Sequence, residues 1–140
     1  MAPVSISLHD SLPPAEAALV DKGLGEANEA AAPLHEVRPL SCFARDAAGQ
    51  VVGGAIGRRW GGCCELQQLW VAPSSRRQGI GAGLVRAFEA HGRSHGCSYF
   101  YLETLSFQAP WLYQSLGYRV AHEHAVFPHG IVKYLMVKDA

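Results

Sequence analysis

The chain contains no apolar run near the roughly 20 residues needed to span a bilayer, and no basic segment followed by an apolar one at its N-terminus. Both absences exclude a transmembrane or secretory reading and set the expected location as cytoplasmic. An excess of either charge is also missing. Lys plus Arg and Asp plus Glu both number 12, so no overall basic field argues for a nucleic-acid or membrane partner, and any anion must be held locally. Cysteine is scarce: Cys42, Cys63, Cys64 and Cys97 form no C-x-x-C pair. That excludes the common zinc modules and a disulfide framework, and leaves reduced core thiols. His122 and His124 flank Glu123, and His91 and His95 stand one helical turn apart, but two ligands without a third make no metal site. No metal is expected.

What is present is ordinary globular material. A hydrophobic content of 49% with 17% charged residues over 140 positions fits one α/β domain, residues 1–140, with a real core. Alternation over residues 4–9 predicts a first strand, and the alanine-rich stretch 15–32 predicts one helix or two short ones, because Gly23 and Gly25 interrupt it. Strands follow at 40–45 and 51–58 around the turn 46–49, and a third member of this meander runs from 63 to 71 after Trp60-Gly61-Gly62. Pro73 ends it. Leu84, Val85, Phe88 and His91 recur at helical spacing over 80–94, and Gly96 provides a stop. A strand at 99–104, a short helix with Pro110 in its first turn and Gly117 past its end, and strands at 118–124 and 132–137 complete the order.

The chemistry concentrates between the strand at 63–71 and the helix at 80–94, in Arg76-Arg77-Gln78-Gly79-Ile80-Gly81-Ala82-Gly83. A phosphate-binding loop at a helix start needs converging backbone N–H groups, the positive end of the helix dipole and glycines that allow close approach. Arg76 and Arg77 add full charges, which suit a diphosphate. Two nucleotide loops fail on spacing. A P-loop needs Gly-Lys followed by Ser or Thr, which is absent. A G-x-G-x-x-G fingerprint begun at Gly79 or Gly81 would place its last glycine on Leu84 or Arg86.

The remaining pattern, Arg76-x-x-Gly79-x-Gly81 after Leu69-Trp70-Val71-Ala72-Pro73, resembles the coenzyme A loop of the GNAT N-acetyltransferase superfamily. Leu112-Tyr113-Gln114-Ser115-Leu116-Gly117-Tyr118 is similar to that superfamily's tyrosine helix. Ser106-Phe107-Gln108-Ala109 and Pro128-His129-Gly130 resemble a subgroup of small single-domain bacterial members. The resemblance implies a mixed, mostly antiparallel twisted sheet with helices on both faces. Counting the strand at 4–9, the sheet would be splayed between its fourth and fifth strands. It also implies acetyl-CoA as co-substrate, with its arm lying along Leu69, Trp70 and Val71 and its pyrophosphate held by Arg76, Arg77 and the N–H groups of Gln78, Gly79, Ile80, Gly81 and Ala82.

Acetyl transfer to an amine needs a proton acceptor, since an alkylamine is mostly ammonium at pH 7, and an acid for the departing thiolate. Tyr113 matches the superfamily's tyrosine acid. Glu65, eleven residues before Arg76, matches the base in some members; strand alternation puts it on one face with Gln67, Leu69 and Val71, and a solvent-exposed role is the competing reading. Glu103 could reach the acceptor or be a solvated strand residue, so the base stays open between Glu65, Glu103 and water; Trp111 could line the pocket, and His129 could meet the acceptor or be solvated. A backbone N–H near Leu69 or Trp70 would meet the oxyanion. No covalent intermediate is required, and the cysteines are poor nucleophile candidates, as none sits beside a histidine in a recognisable arrangement. The expected function is acetyl transfer from acetyl-CoA to a primary amine of a small molecule. An acyl-CoA-binding regulatory module without turnover and a protein or peptide N-acetyltransferase are the alternatives, and a homodimer is left open as a superfamily tendency.

Overall fold

The computed structural model describes residues 3–139. The chain forms two compact units, Met1–Glu36 and Val37–Ala140. Within the described part of the first, α1 (Pro14–Ala31) is one continuous helix with proline at its start, and none of its residues is buried. The strand expected at 4–9 is not formed. Val4, Ile6 and Leu8 are almost fully exposed and the segment has no regular structure. Alternation alone does not make a strand: the backbone groups need a partner ladder, and no strand lies among the described residues of this unit.

The second unit is built on β1 (Arg38–Arg45), β2 (Val51–Trp60), β3 (Cys63–Val71), α2 (Ile80–Ser94), β4 (Tyr99–Leu105), α3 (Pro110–Ser115), β5 (Arg119–His124) and β6 (Lys133–Asp139). These six strands form one sheet in the order β1-β2-β3-β4-β6-β5. Every neighbouring pair is antiparallel except β3 and β4, which are parallel because α2 carries the chain back across the sheet.

Local chemistry explains the turns. Asp46 Oδ1 accepts the N–H groups of Ala48 and Gln50 at 2.9 and 3.0 Å, and Gly49 takes φ 81°, which closes the β1–β2 hairpin. The apolar stripe of α2, with Leu84, Val85 and Phe88 buried, packs on Leu40, Ala55, Cys64, Leu66, Phe100 and Leu102, the inward residues of β1 to β4. Fully burying side chains of this size contributes about 1.5–3 kcal/mol each. α3 lies beside the start of α2, where a Cβ on Gly81 would stand 3.6 Å from Leu112 Cδ2.

Two features of the sheet shape the site. β3 and β4 pair only from Cys63 opposite Tyr99 to Leu66 opposite Leu102, after which both strands continue without pairing. The sheet is therefore splayed between them, the pair counted as fourth and fifth when residues 4–9 are taken as a strand. The second feature is a bulge in β3: Gly57 faces Leu66 while Ile56 faces Gln68, so Gln67 has no partner.

Candidate active site

The loop between β3 and α2 begins with a turn at Pro73–Ser75 and ends with two left-handed positions on either side of Gln78. Arg77 has φ 64° and Gly79, the N-cap of α2, has φ 77°. Glycine adopts this conformation freely, whereas arginine rarely does. The helix ladder starts with Gly83 N–H donating to the Gly79 carbonyl at 3.0 Å. The N–H groups of Ile80, Gly81 and Ala82 therefore have no intrahelical acceptor and converge at the positive end of a 15-residue helix. Cβ atoms placed at Gly79 or Gly83 would meet nothing within 4 Å, so the approach to these amides is open.

The free edge of β3 runs toward this loop. Ala72 N–H donates to Val52 O at 2.7 Å, so alternation turns the Trp70 backbone toward β2 and those of Leu69 and Val71 away from it, into the gap beside β4. The contact from Arg76 Nε to the Val71 carbonyl, at 3.0 Å, fits this orientation and draws the loop against the strand end. Of the two residues expected to offer an oxyanion N–H, Leu69 is the one aimed into the gap. An unpaired strand edge followed by an amide-rich helix start is the arrangement an extended chain ending in a diphosphate requires.

Tyr113 is buried on α3, edge-to-face with Tyr118 at 5.9 Å between ring centroids. Burial pushes its phenol above the ordinary value of 10.0, which keeps it an O–H donor across the neutral range. Trp111 on the same helix is mostly exposed.

The structure corrects the placement of Glu65. It does not share a face with Leu69 and Val71: the bulge at Gln67 inserts one residue, so Glu65 points opposite α2 while Leu69 and Val71 pack toward it. Glu65 Oε1 accepts a hydrogen bond from Arg58 Nε at 2.8 Å, and its side chain is 17% exposed. This pairing raises the guanidinium of Arg58. Tyr101, directly opposite Glu65 on β4, is raised by burial first and by the Glu65 carboxylate second.

Glu103 lies on that same outward face and lines a cavity of about 580 Å³ beyond the last β3–β4 pair. Leu105, Phe107, Phe127 and Ile131 supply its apolar lining, and Lys133 binds Glu103 Oε2 at 2.7 Å. Two loops frame it. Ser106 N–H donates to Val132 O at 2.8 Å, and Val132 N–H donates to Ser106 Oγ at 3.0 Å, joining the β4–α3 loop to the entry of β6. Gln108 Oε1 accepts the Leu105 N–H at 2.7 Å and the Thr104 hydroxyl at 3.1 Å. His129 stands in the turn Pro128–Gly130 at φ 63°. Sequence reasoning passed over Lys133, whose partner lies on a different strand. The nearest sequence signal is the Ser106–Gln108 segment, of which Phe107 and Gln108 line the cavity.

The histidine pairs lie edge-to-face, His91 with His95 at 5.1 Å and His122 with His124 at 4.6 Å. Among the described residues, no group of three or more His, Cys, Asp or Glu is placed to hold a metal ion. No helix among them is long and apolar enough to cross a membrane.

Comparison with known proteins gives the family. Residues 8–118 match the model of the acetyltransferase (GNAT) family. A blasticidin-S acetyltransferase from Streptomyces morookaense is 37% identical over 111 residues, 76% of this chain and 82% of that protein. Among solved structures, an acetyltransferase from Bacillus cereus superposes at TM-score 0.78 over 96% of this chain and 98% of its own, at 23% identity. Nourseothricin acetyltransferase superposes at 0.63 over 72% and 65%, at 19% identity. These two share the fold. The chain belongs to the GNAT acetyltransferase family, acetyl-CoA-dependent N-acetyltransferases.

Proposed function

We propose that this enzyme moves the acetyl group of acetyl-CoA directly to a primary amine of a small molecule. The observation that carries the reading is the gap opened between β3 and β4 after Leu66 and Leu102, which leads from the free edge of Leu69 and Val71 to the first turn of α2. The size of the cavity at Glu103 supports a small acceptor, since about 580 Å³ falls within the range of roughly 300–1,000 Å³ usual for small-molecule sites. The similarity to an enzyme named for blasticidin-S points the same way.

When bound, acetyl-CoA supplies a thioester whose carbonyl is open to attack by a neutral amine. The chain's own groups do the rest. Leu69 and Val71 pair with the extended arm as a neighbouring strand would, with Trp70 between them. Arg76, Arg77 and the N–H groups of Gln78, Gly79, Ile80, Gly81 and Ala82 hold the diphosphate. The Leu69 N–H faces the carbonyl oxygen as negative charge grows on it. Glu65, held by Arg58, takes the amine proton through water, and Tyr113 gives its proton to the departing sulfur.

Tyr113→Phe tests the assignment with little change in volume. Turnover with an acetylated amine should fall by about 100-fold or more, while coenzyme A still raises the melting temperature as in the wild type. Unchanged turnover removes Tyr113 from the chemistry. Failure of coenzyme A to stabilise the wild-type protein removes the acetyl-transfer reading itself.

A further inference from the structure

The ion pair of Glu103 and Lys133 is unusual in its surroundings. At 2.7 Å, with side chains 49% and 40% exposed, it sits against a cavity whose wall is otherwise uncharged and mostly apolar, with Leu105, Phe107, Phe127, Pro128 and Ile131 beside Thr104 and Gln108. A half-exposed pair contributes little to stability, and an apolar cavity needs no charges to remain folded. Phe107 is 66% exposed and Phe127 is 41% exposed. These aromatic rings stand on two loops fixed to each other by the paired bonds between Ser106 and Val132. Large apolar side chains held in the open around a concavity mark a place where a ligand is received.

We infer that the acceptor is an amino acid-like molecule carrying an aromatic body, whose ammonium is met by Glu103 and whose carboxylate is met by Lys133, with its ring between Phe107 and Phe127. This rests on the acetyl-transfer reading and adds the acceptor class to it. One negative and one positive group side by side complement a ligand that carries both charges within a few bonds of each other, as an α- or β-amino acid does. A polyamine would need an excess of acid, and here Lys133 cancels the single carboxylate of the cavity wall. The ligand's aromatic body covers the half-exposed pair, and the two new ion pairs then form with less water around them than the free groups have. The same contacts set direction: Glu103 lies on β4 one residue past its last pairing with β3, so an amine bound there is delivered beside the gap.

The test measures thiol release from acetyl-CoA with three matched amines: 3-amino-3-phenylpropanoic acid, its methyl ester, and 1-phenylethylamine, which lacks the carboxylate. The expected result is a kcat/KM at least tenfold higher for the acid than for either of the others. Lys133→Met should erase that preference, bringing the acid down to the level of its ester, and Lys133→Arg should keep it. Equal turnover of all three, or a preference that survives Lys133→Met, overturns the inference. Turnover of the carboxylate-free amines alone overturns it as well, while leaving acetyl transfer to amines intact. If coenzyme A stabilises the protein and none of a broad panel of amines is acetylated, both readings fall.

Discussion

Gly57 on β2 lies so close to the backbone carbonyl of Glu65 on β3 that a Cβ at position 57 would collide with that oxygen, and also stand 2.8 Å from Phe88 Cζ. The contact sits at the bulge, where Gly57 opposes Leu66 and the register then shifts. One missing side chain thus lets the strands approach, lets Phe88 bury beneath them, and turns Leu69 and Val71 to the α2 side of the sheet.

Gly57→Ala should therefore destabilise the fold by about 3 kcal/mol or more, above the usual 1–3 kcal/mol for overpacking, because the obstacle is backbone and cannot rotate away. Chemical denaturation checks this. A loss below about 1 kcal/mol would mean that β2 and β3 separate easily here, and that the bulge is not held by this contact.

The strained position in the loop leads to an opposite expectation. Arg77 holds φ 64°, where a non-glycine residue costs about 1–2 kcal/mol. Arg77→Gly should raise stability by up to about 1 kcal/mol while raising the KM for acetyl-CoA, because the charge near the diphosphate is lost. An unchanged KM would take Arg77 out of the binding loop and leave its conformation without a functional reason.

The second unit contains one deeply buried acid among its described residues. Glu89 on α2 is 2% exposed, and its Oε1 accepts from Lys138 Nζ at 3.0 Å and lies 3.6 Å from Arg93. Lys138 Nζ also donates to the Leu116 carbonyl at 2.7 Å, at the end of α3. Lys138→Met should cost about 3–5 kcal/mol by leaving the carboxylate without its closest cation. The double change Glu89→Leu with Lys138→Met should recover most of that. If the two single losses simply add, the groups do not act as a pair.

The elements that sequence patterns made legible are those whose evidence is local. Leu84, Val85 and Phe88 at helical spacing gave α2 its observed ends, and the 63–71 strand stopped where Pro73 required. The open glycine loop was readable for the same reason, since its chemistry lies in consecutive residues. Residues 4–9 show the converse: their alternation was real, but a strand depends on a partner that the segment does not itself contain. The face of Glu65 is not legible in its own strand's alternation, because the bulge is a property of two strands in register, set by Gly57 on one and Gln67 on the other. Glu103 with Lys133, and Glu89 with Lys138, were out of reach because each pair is made by tertiary packing between distant segments.

Alkaline pH gives a readout of the core that none of these variants touches. Cys64, fully buried beneath α2, has its thiol pushed up from 9.0 to about 12, by burial first and by its neighbour Cys97 second. The unfolded chain therefore releases this proton first as pH rises. Stability that is full below pH 9 should be lost progressively toward pH 12, by up to about 1.4 kcal/mol per pH unit for one such group. Burial raises Cys42 and Cys63 in the same direction, so Cys64→Ala should reduce the slope without abolishing it. The interval between pH 9 and 10 separates the thiols from Tyr113 and Tyr118, whose ordinary value is 10.0 and which burial also raises. Denaturant unfolding at pH 8, 9 and 10 decides the matter. An equal slope in wild type and Cys64→Ala would show that water reaches the space between β3 and α2, and that the core against Phe88 and Gly92 is looser than its packing indicates.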